Sequence, residues 1–335
     1  MAATKVNLLD YLRSRTQIDF DSFDIEAAKD IEKFVDCTSN QFEYYAELEK
    51  PSRKELLGKS IQLAASIHEQ FPTVTYEELV VEIGAIYLTM EIYPMASGDM
   101  HVMANPWYAY SKQKVVDTGK RLHRLCKEIN PSFDPSRLVM KVPATWEGLQ
   151  ACRELRYSGI KTLATTLFTM EQAVLAGEVG CVSISPFVHE LKALFDNTYK
   201  DGHPLLDLCV RAQQWYENQS LGTKVKACAT MGLDELLQLA GVDALTIVPD
   251  DLRTLRSTHR PDEEVKALSL FTKKAAIKEK MEYPSYIDDQ VKYRMDFDAA
   301  EGGNAQFKLG QAITIFCDFQ KKAENLVKVA QAGCV

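Results

Sequence analysis

A lysine stands in the middle of an apolar run, RLVMKVP (137–143). An ammonium is seldom buried without a partner, because taking it out of water is costly. One reason to keep Lys141 there is chemistry. The plainer reasons are an inherited position, a side chain that escapes at the strand end, or an ion pair with Asp21 or Asp36. A lysine in a desolvated pocket loses proton affinity, since burial disfavours the charged form. Its neutral amine attacks a carbonyl carbon to give a Schiff base, and the iminium draws electrons from the adjacent carbon–carbon bond. Such chemistry needs a hydroxyl to relay a proton and a carboxylate to orient water or act as base. Thr165 and Asp21 are the candidates for those roles beside Lys141.

These residues need a frame. Short β-type runs alternate with longer amphipathic stretches. The candidate strands are 16–21, 33–38, 100–104, 137–143, 160–166, 180–186, 223–229 and 243–249. Helical spacing of apolar residues marks 52–71, 144–159 and 232–241. The last two end at Gly159 and Gly241, as helix-stopping glycines do. Eight strand–helix alternations predict a parallel sheet, and eight closes a (β/α)₈ TIM barrel with extra N- and C-terminal helices. The runner-up, an open doubly wound sheet, needs a glycine-rich first turn that is missing here. The chain, 1–335, reads as a single domain, and 306–331 as a long terminal helix lying over the barrel.

Active sites of such barrels lie at the C-terminal ends of the strands. The polar residues there are Asp19 or Asp21, Asp36, Thr38, Asn40, Asn105, Lys141, Thr165, Thr166, Ser183 and Ser185. Strands seven and eight are expected to add little that is polar and inward. Trp107, Tyr108 and Tyr110 either line the pocket mouth or form a packed aromatic loop. His189 is either an acid or base at the end of strand six or, more plainly, a solvated loop histidine. The charge run 259–266 reads as a solvated loop and helix start.

Composition narrows the function. The chain has 335 residues, 46% of them hydrophobic, and a net charge of −8. That charge, with no basic stripe, argues against a nucleic acid. No run approaches a membrane span and no secretory or anchor signal stands at either end, so the expectation is a cytoplasmic protein without a membrane partner. The eight cysteines, Cys334 among them, form no C-x-x-C pair, and the six histidines form no metal motif. They read as small buried apolar groups, and neither a metal nor any other cofactor is expected. The expected partner is a small-molecule carbonyl substrate, with a homodimer open as the assembly.

The stretch MKVPATWEGLQACREL resembles the Schiff-base motif of the transaldolase family, with Lys141 at its lysine. DSFDIEAAK (21–29) resembles the segment after the family's first strand, with Asp21 at the catalytic aspartate. DCTSN (36–40) resembles its D-A-T-T-N, with Asn40 at the substrate-binding asparagine. TTLFTMEQAVLAGEVGCVSISPFV puts Thr165 at the catalytic threonine and Ser185 at the serine of I-S-P-F-V. The resemblance covers nearly the whole chain. It implies a (β/α)₈ barrel, lysine-dependent (class I) aldol chemistry, no metal, and transfer of a dihydroxyacetone unit between sugar phosphates.

The departures from that pattern point elsewhere. Met103 stands where the family carries a glutamate that works through a water; a shifted alignment would place Asp99 there. Glu190 replaces one phosphate-binding arginine. Ala229 and Met231 replace a serine and the second arginine. Leu163 replaces an asparagine and Gln41 a proline. A thioether holds no proton, and exchanging arginine for glutamate turns attraction for a phosphate into repulsion. The expected function is a transaldolase-like, lysine-dependent enzyme. It would make, break or rearrange a C–C bond on a non-phosphorylated, less polar carbonyl substrate, in specialised (secondary) metabolism. Two alternatives remain: a genuine transaldolase of the pentose phosphate pathway, and a non-covalent cyclase, isomerase or binding protein on the same barrel.

Overall fold

The computed structural model describes residues 4–272 and 282–332; Cys334 lies outside them. Eight parallel strands close a barrel. They are β1 (Gln17–Asp21), β2 (Cys37–Thr38), β3 (Met100–Met103), β4 (Leu138–Pro143), β5 (Lys161–Leu167), β6 (Ser183–Pro186), β7 (Lys224–Ala227) and β8 (Ala244–Ile247). β8 returns to β1, pairing Thr246 with Asp19. Seven fall inside the runs read from the sequence, and β5 runs one residue past its run, to Leu167. The N-terminal helix Leu8–Arg13 and the terminal helix Ala305–Ala332 are the expected additions. The run from 259 departs from expectation: His259–Pro261 pairs antiparallel with Lys5–Asn7 before the helix Asp262–Leu268 begins. No described helix is long and apolar enough to cross a membrane.

β4 shows why Lys141 points inward. Successive side chains on a strand alternate faces. Met140 faces the outer helix Lys112–Ile129, where a Cβ added to Gly119 would stand 3.1 Å from its Sδ. Lys141 therefore faces the barrel, in register with Met103 on β3 and Leu163 on β5. It is 6% exposed.

Capped helices begin soon after the strands and fix where the strand ends lie. Asp24, Asn40, Thr145 and Thr169 each accept backbone N–H bonds at a helix start. Each cap satisfies donors that the first helical turn leaves open. Gly159 stops the helix Trp146–Tyr157 in a left-handed conformation, φ 73°. Gly241 also has positive φ, but it stands beyond Leu239, where the preceding helix already ends.

The expectation that β7 and β8 offer little inward polarity is wrong. Lys226 on β7 is buried and donates to Asp19 Oδ2 and Asp36 Oδ2, both at 2.6 Å. Asp19 Oδ1 accepts from Gln17 Nε2 at 2.7 Å and from the Asp36 amide at 3.2 Å. Asp36 Oδ1 accepts from the Asp99 amide at 2.7 Å, and His101 Nε2 lies 3.4 Å from Asp36 Oδ2. Burial pulls the Lys226 proton affinity down, but the two carboxylates overcome it and hold the pKa above its ordinary value. On β8, Thr246 is also buried and inward. The Cys37, Cys126, Cys152, Cys181, Cys209, Cys228 and Cys317 thiols are free and buried, as expected.

Replacing Lys226 leaves two carboxylates buried without their cation. Lys226→Met should cost about 3–5 kcal/mol, read as a lowered urea midpoint. A variant as stable as the parent would show that the pair is not what holds this layer.

Candidate active site

Above this charged layer, Lys141 is not held in an ion pair with Asp36, whose partners are Lys226 and His101. Its ammonium donates to the Thr38 hydroxyl at 3.0 Å. A cavity of about 310 Å³ opens over it. Asp21, Asn40, Glu43, Lys141, Thr246 and Asp251 supply polar lining. Phe42, Phe187, Leu191, Phe195 and Phe316 supply apolar walls, the last from the terminal helix. Lys141 is the one cationic side chain among the described residues lining it, against three carboxyl groups.

Burial raises the Asp21 pKa, and the charges of Lys141 and His101 pull it back. Its Oδ1 is shielded from solvent and has no protein hydrogen-bond partner. Burial, then the Asp21 charge, pushes Glu43 up to about 8. Burial followed by the Asp250 charge also raises Asp251. The Asn40 oxygen is committed to capping the helix Gln41–Leu48, accepting from Phe42 N at 2.9 Å and Glu43 N at 3.2 Å. Its amide N–H groups are what it can offer a ligand.

Thr165 lies on the inner face of β5, and its buried hydroxyl has no protein partner. The next residue, Thr166, has φ 53° beside an irregularity in the β5–β6 pairing. A β-branched residue adopts that conformation only under strain, costing about 1–3 kcal/mol, and such strain clusters at functional sites. Gln172 Nε2 supports the bend by donating to Thr166 O at 3.3 Å and Ala144 O at 2.9 Å. Ala229, φ 57°, lines the cavity at the end of β7.

Thr165 does not line the cavity, and the other sequence-derived candidates are placed elsewhere. Ser185 donates to Lys226 O at 3.1 Å. Met103 and Leu163 flank Lys141 in register but do not line the cavity. Asp99 pairs with Lys161 at the opposite end of the barrel, away from the cavity. Glu190 accepts from Tyr199 Oη and from Gln311 Nε2 at 2.9 Å, tying its loop to the terminal helix. Met231 is 48% exposed. Tyr108 packs and bonds to Glu78 at 2.6 Å, while Trp107 and Tyr110 are exposed; none of the three lines the cavity. Asn105 caps a short turn, its Oδ1 accepting from the Trp107 amide at 3.1 Å. The sequence reading missed Glu43, Asp251, Thr246 and the phenylalanine walls.

His189 is neither solvated nor free. It is buried, with Nδ1 3.1 Å from Asp201 Oδ2 and Nε2 2.8 Å from Glu235 Oε1. Burial lowers its pKa, but Glu235 and Asp201 overcome this and raise it above the ordinary value. It joins the loop after β6 to the helix Leu233–Gln238 after β7.

A family profile described as Transaldolase/Fructose-6-phosphate aldolase matches residues 18–321. A protein named transaldolase from Shewanella sp. (strain ANA-3) is 30% identical over 336 residues, covering 98% of this chain and 99% of its own. A second, from Prochlorococcus marinus (strain MIT 9301), is 25% identical over 333 residues, covering 96% and 95% respectively.

The His189 clamp predicts a pH dependence. Because its folded pKa is raised, its contribution to stability is complete below the unfolded value, about 6.5. It fades as pH rises through the folded value. The Tm difference between the parent and His189→Gln should be larger at pH 6 than at pH 9. An equal difference at both would contradict the clamp.

Proposed function

The chain belongs to the transaldolase/fructose-6-phosphate aldolase family of aldolase-type enzymes, and from that premise we propose that Lys141 forms a Schiff base with a non-phosphorylated, less polar carbonyl substrate. One observation carries the reading: among the described residues a single cation, Lys141, lines a cavity that also holds Asp21, Glu43 and Asp251 under phenylalanine walls. A phosphate dianion entering this cavity meets carboxyl groups and, among the described residues, no arginine. Each charge-assisted hydrogen bond to an anion contributes roughly 1.5–3 kcal/mol. Losing two weakens sugar-phosphate binding by about 10²–10⁴-fold, the conversion being tenfold per 1.4 kcal/mol.

In the reaction, the Lys141 amine attacks the substrate carbonyl and loses water to give an iminium. Asp21, with an oxygen that no protein group occupies, takes the proton from a hydroxyl on the far side of the bond that breaks. The electron pair of that bond moves into the iminium, leaving an enamine on Lys141. The Thr165 hydroxyl, also without a protein partner, relays protons between water and this site. Specialised metabolism suits a barrel that keeps the lysine and changes its surroundings.

The competing reading, a genuine transaldolase, is favoured by the names of the relatives. Two measurements decide. Borohydride added with dihydroxyacetone should leave a mass increment on Lys141 that Lys141→Met lacks. A coupled assay with fructose 6-phosphate and erythrose 4-phosphate should show little turnover. Efficient turnover of the phosphorylated pair would overturn the proposed substrate class.

A further inference from the structure

A Schiff base forms only when the carbinolamine hydroxyl leaves as water, and a proton must reach it. Met103 beside Lys141 cannot supply one. Glu43 is placed to do so. It is the third residue of the helix Gln41–Leu48, whose N-cap is Asn40. Asn followed three residues later by Glu is the pattern of a reciprocal cap, in which the glutamate returns to the N-cap amide. The helix Met170–Val179 makes both halves of that arrangement with Thr169 and Gln172. Here only the Asn40 half is made. The Glu43 residue lines the cavity with Lys141 and Asp21, its carboxyl beside the Ser22 hydroxyl. It makes no ion pair among the described residues, whereas Glu47, one turn on, is taken by Lys50 and Arg53.

We propose that Glu43 is the catalytic acid of imine formation and the base of imine hydrolysis at Lys141. This rests on the Schiff-base reading above. The Lys141 nitrogen bonds to the carbonyl carbon, and one amine proton passes to the oxygen, giving a neutral carbinolamine. Glu43 donates its carboxyl proton to that hydroxyl. The C–O bond breaks, water departs, the nitrogen lone pair completes the iminium, and Glu43 is left as carboxylate. In hydrolysis the carboxylate takes a proton from water as its oxygen adds to the iminium carbon. Burial and the Asp21 charge, with a smaller push from Glu47, keep the Glu43 proton on at neutral pH; Ser22 and Lys141 pull the other way. A group titrating near the working pH serves both directions.

The test is a timed borohydride quench with dihydroxyacetone as the probe, the Lys141 peptide being quantified by mass spectrometry between pH 6 and pH 9.5. In the parent, the rate of adduct formation should show a falling limb above about pH 8. Glu43→Gln should slow it about 10²-fold and abolish that limb. Glu43→Asp should keep the limb at a reduced rate, and far-UV circular dichroism checks that both variants fold. A Glu43→Gln variant with the parent's rate and profile would overturn the role of Glu43 alone. No adduct on Lys141 in the parent would overturn the Schiff-base reading and this role with it.

Discussion

Lys226 takes both Asp19 and Asp36, and the rest of the site depends on that choice. Two lysines and three aspartates share one barrel interior. A salt-bridged lysine keeps its proton and is a poor nucleophile. By drawing two carboxylates to itself, Lys226 leaves Lys141 with a neutral partner, the Thr38 hydroxyl. The lower layer settles charge and the upper layer stays available for chemistry. The division follows from register: Lys226 pairs with Ala244 on β8, and Asp19 pairs two residues further along that strand, with Thr246.

The same economy of charge explains the cavity. Once the lower acids are neutralised, Lys141 faces Asp21, Glu43 and Asp251 without a second cation among the described lining residues. The described lining around the lysine is instead rich in phenylalanines, drawn from the segments after β2 and β6 and from the terminal helix. Phe42 and Phe195 stand 5.0 Å apart edge to face, and Phe187 stands 6.4 Å from Phe316. The terminal helix therefore does more than cover the barrel, since Phe316 closes one side of the cavity over Lys141.

Much of this was legible in the sequence. The eight strands are compact β-type runs, and period-2 alternation in VMKVP puts Val139 and Lys141 on one face, which the packing of Met140 against the outer helix turns inward. The same alternation in TKVKACA puts Lys224 and Lys226 on one face, yet which face it is depends on partners about 190 and 207 residues away in Asp36 and Asp19. His189 was misread for a similar reason, because Asp201 lies in its own loop but Glu235 comes from the helix Leu233–Gln238. Glu43 carried a local signal, but that signal reads as a helix cap. Only the packing of its helix against the barrel mouth shows that the carboxyl is used otherwise. The residues that the resemblance matches to phosphate-binding positions could be named from the sequence. Their side chains could not be placed from it, since Glu190 and Met231 turn away from the cavity.

Lys226 is locked by its ion pairs, and the proposed Schiff base requires Lys141 to be free to react with carbonyls. Formaldehyde with cyanoborohydride tests both on the folded protein, since each accessible neutral amine forms an imine that is reduced to a methylated lysine. Peptide mass spectrometry then reports the rate at each site. Lys141 should be methylated rapidly despite its burial, and Lys226 only after unfolding. A refractory Lys141, or a Lys226 modified at a comparable rate, would contradict the account.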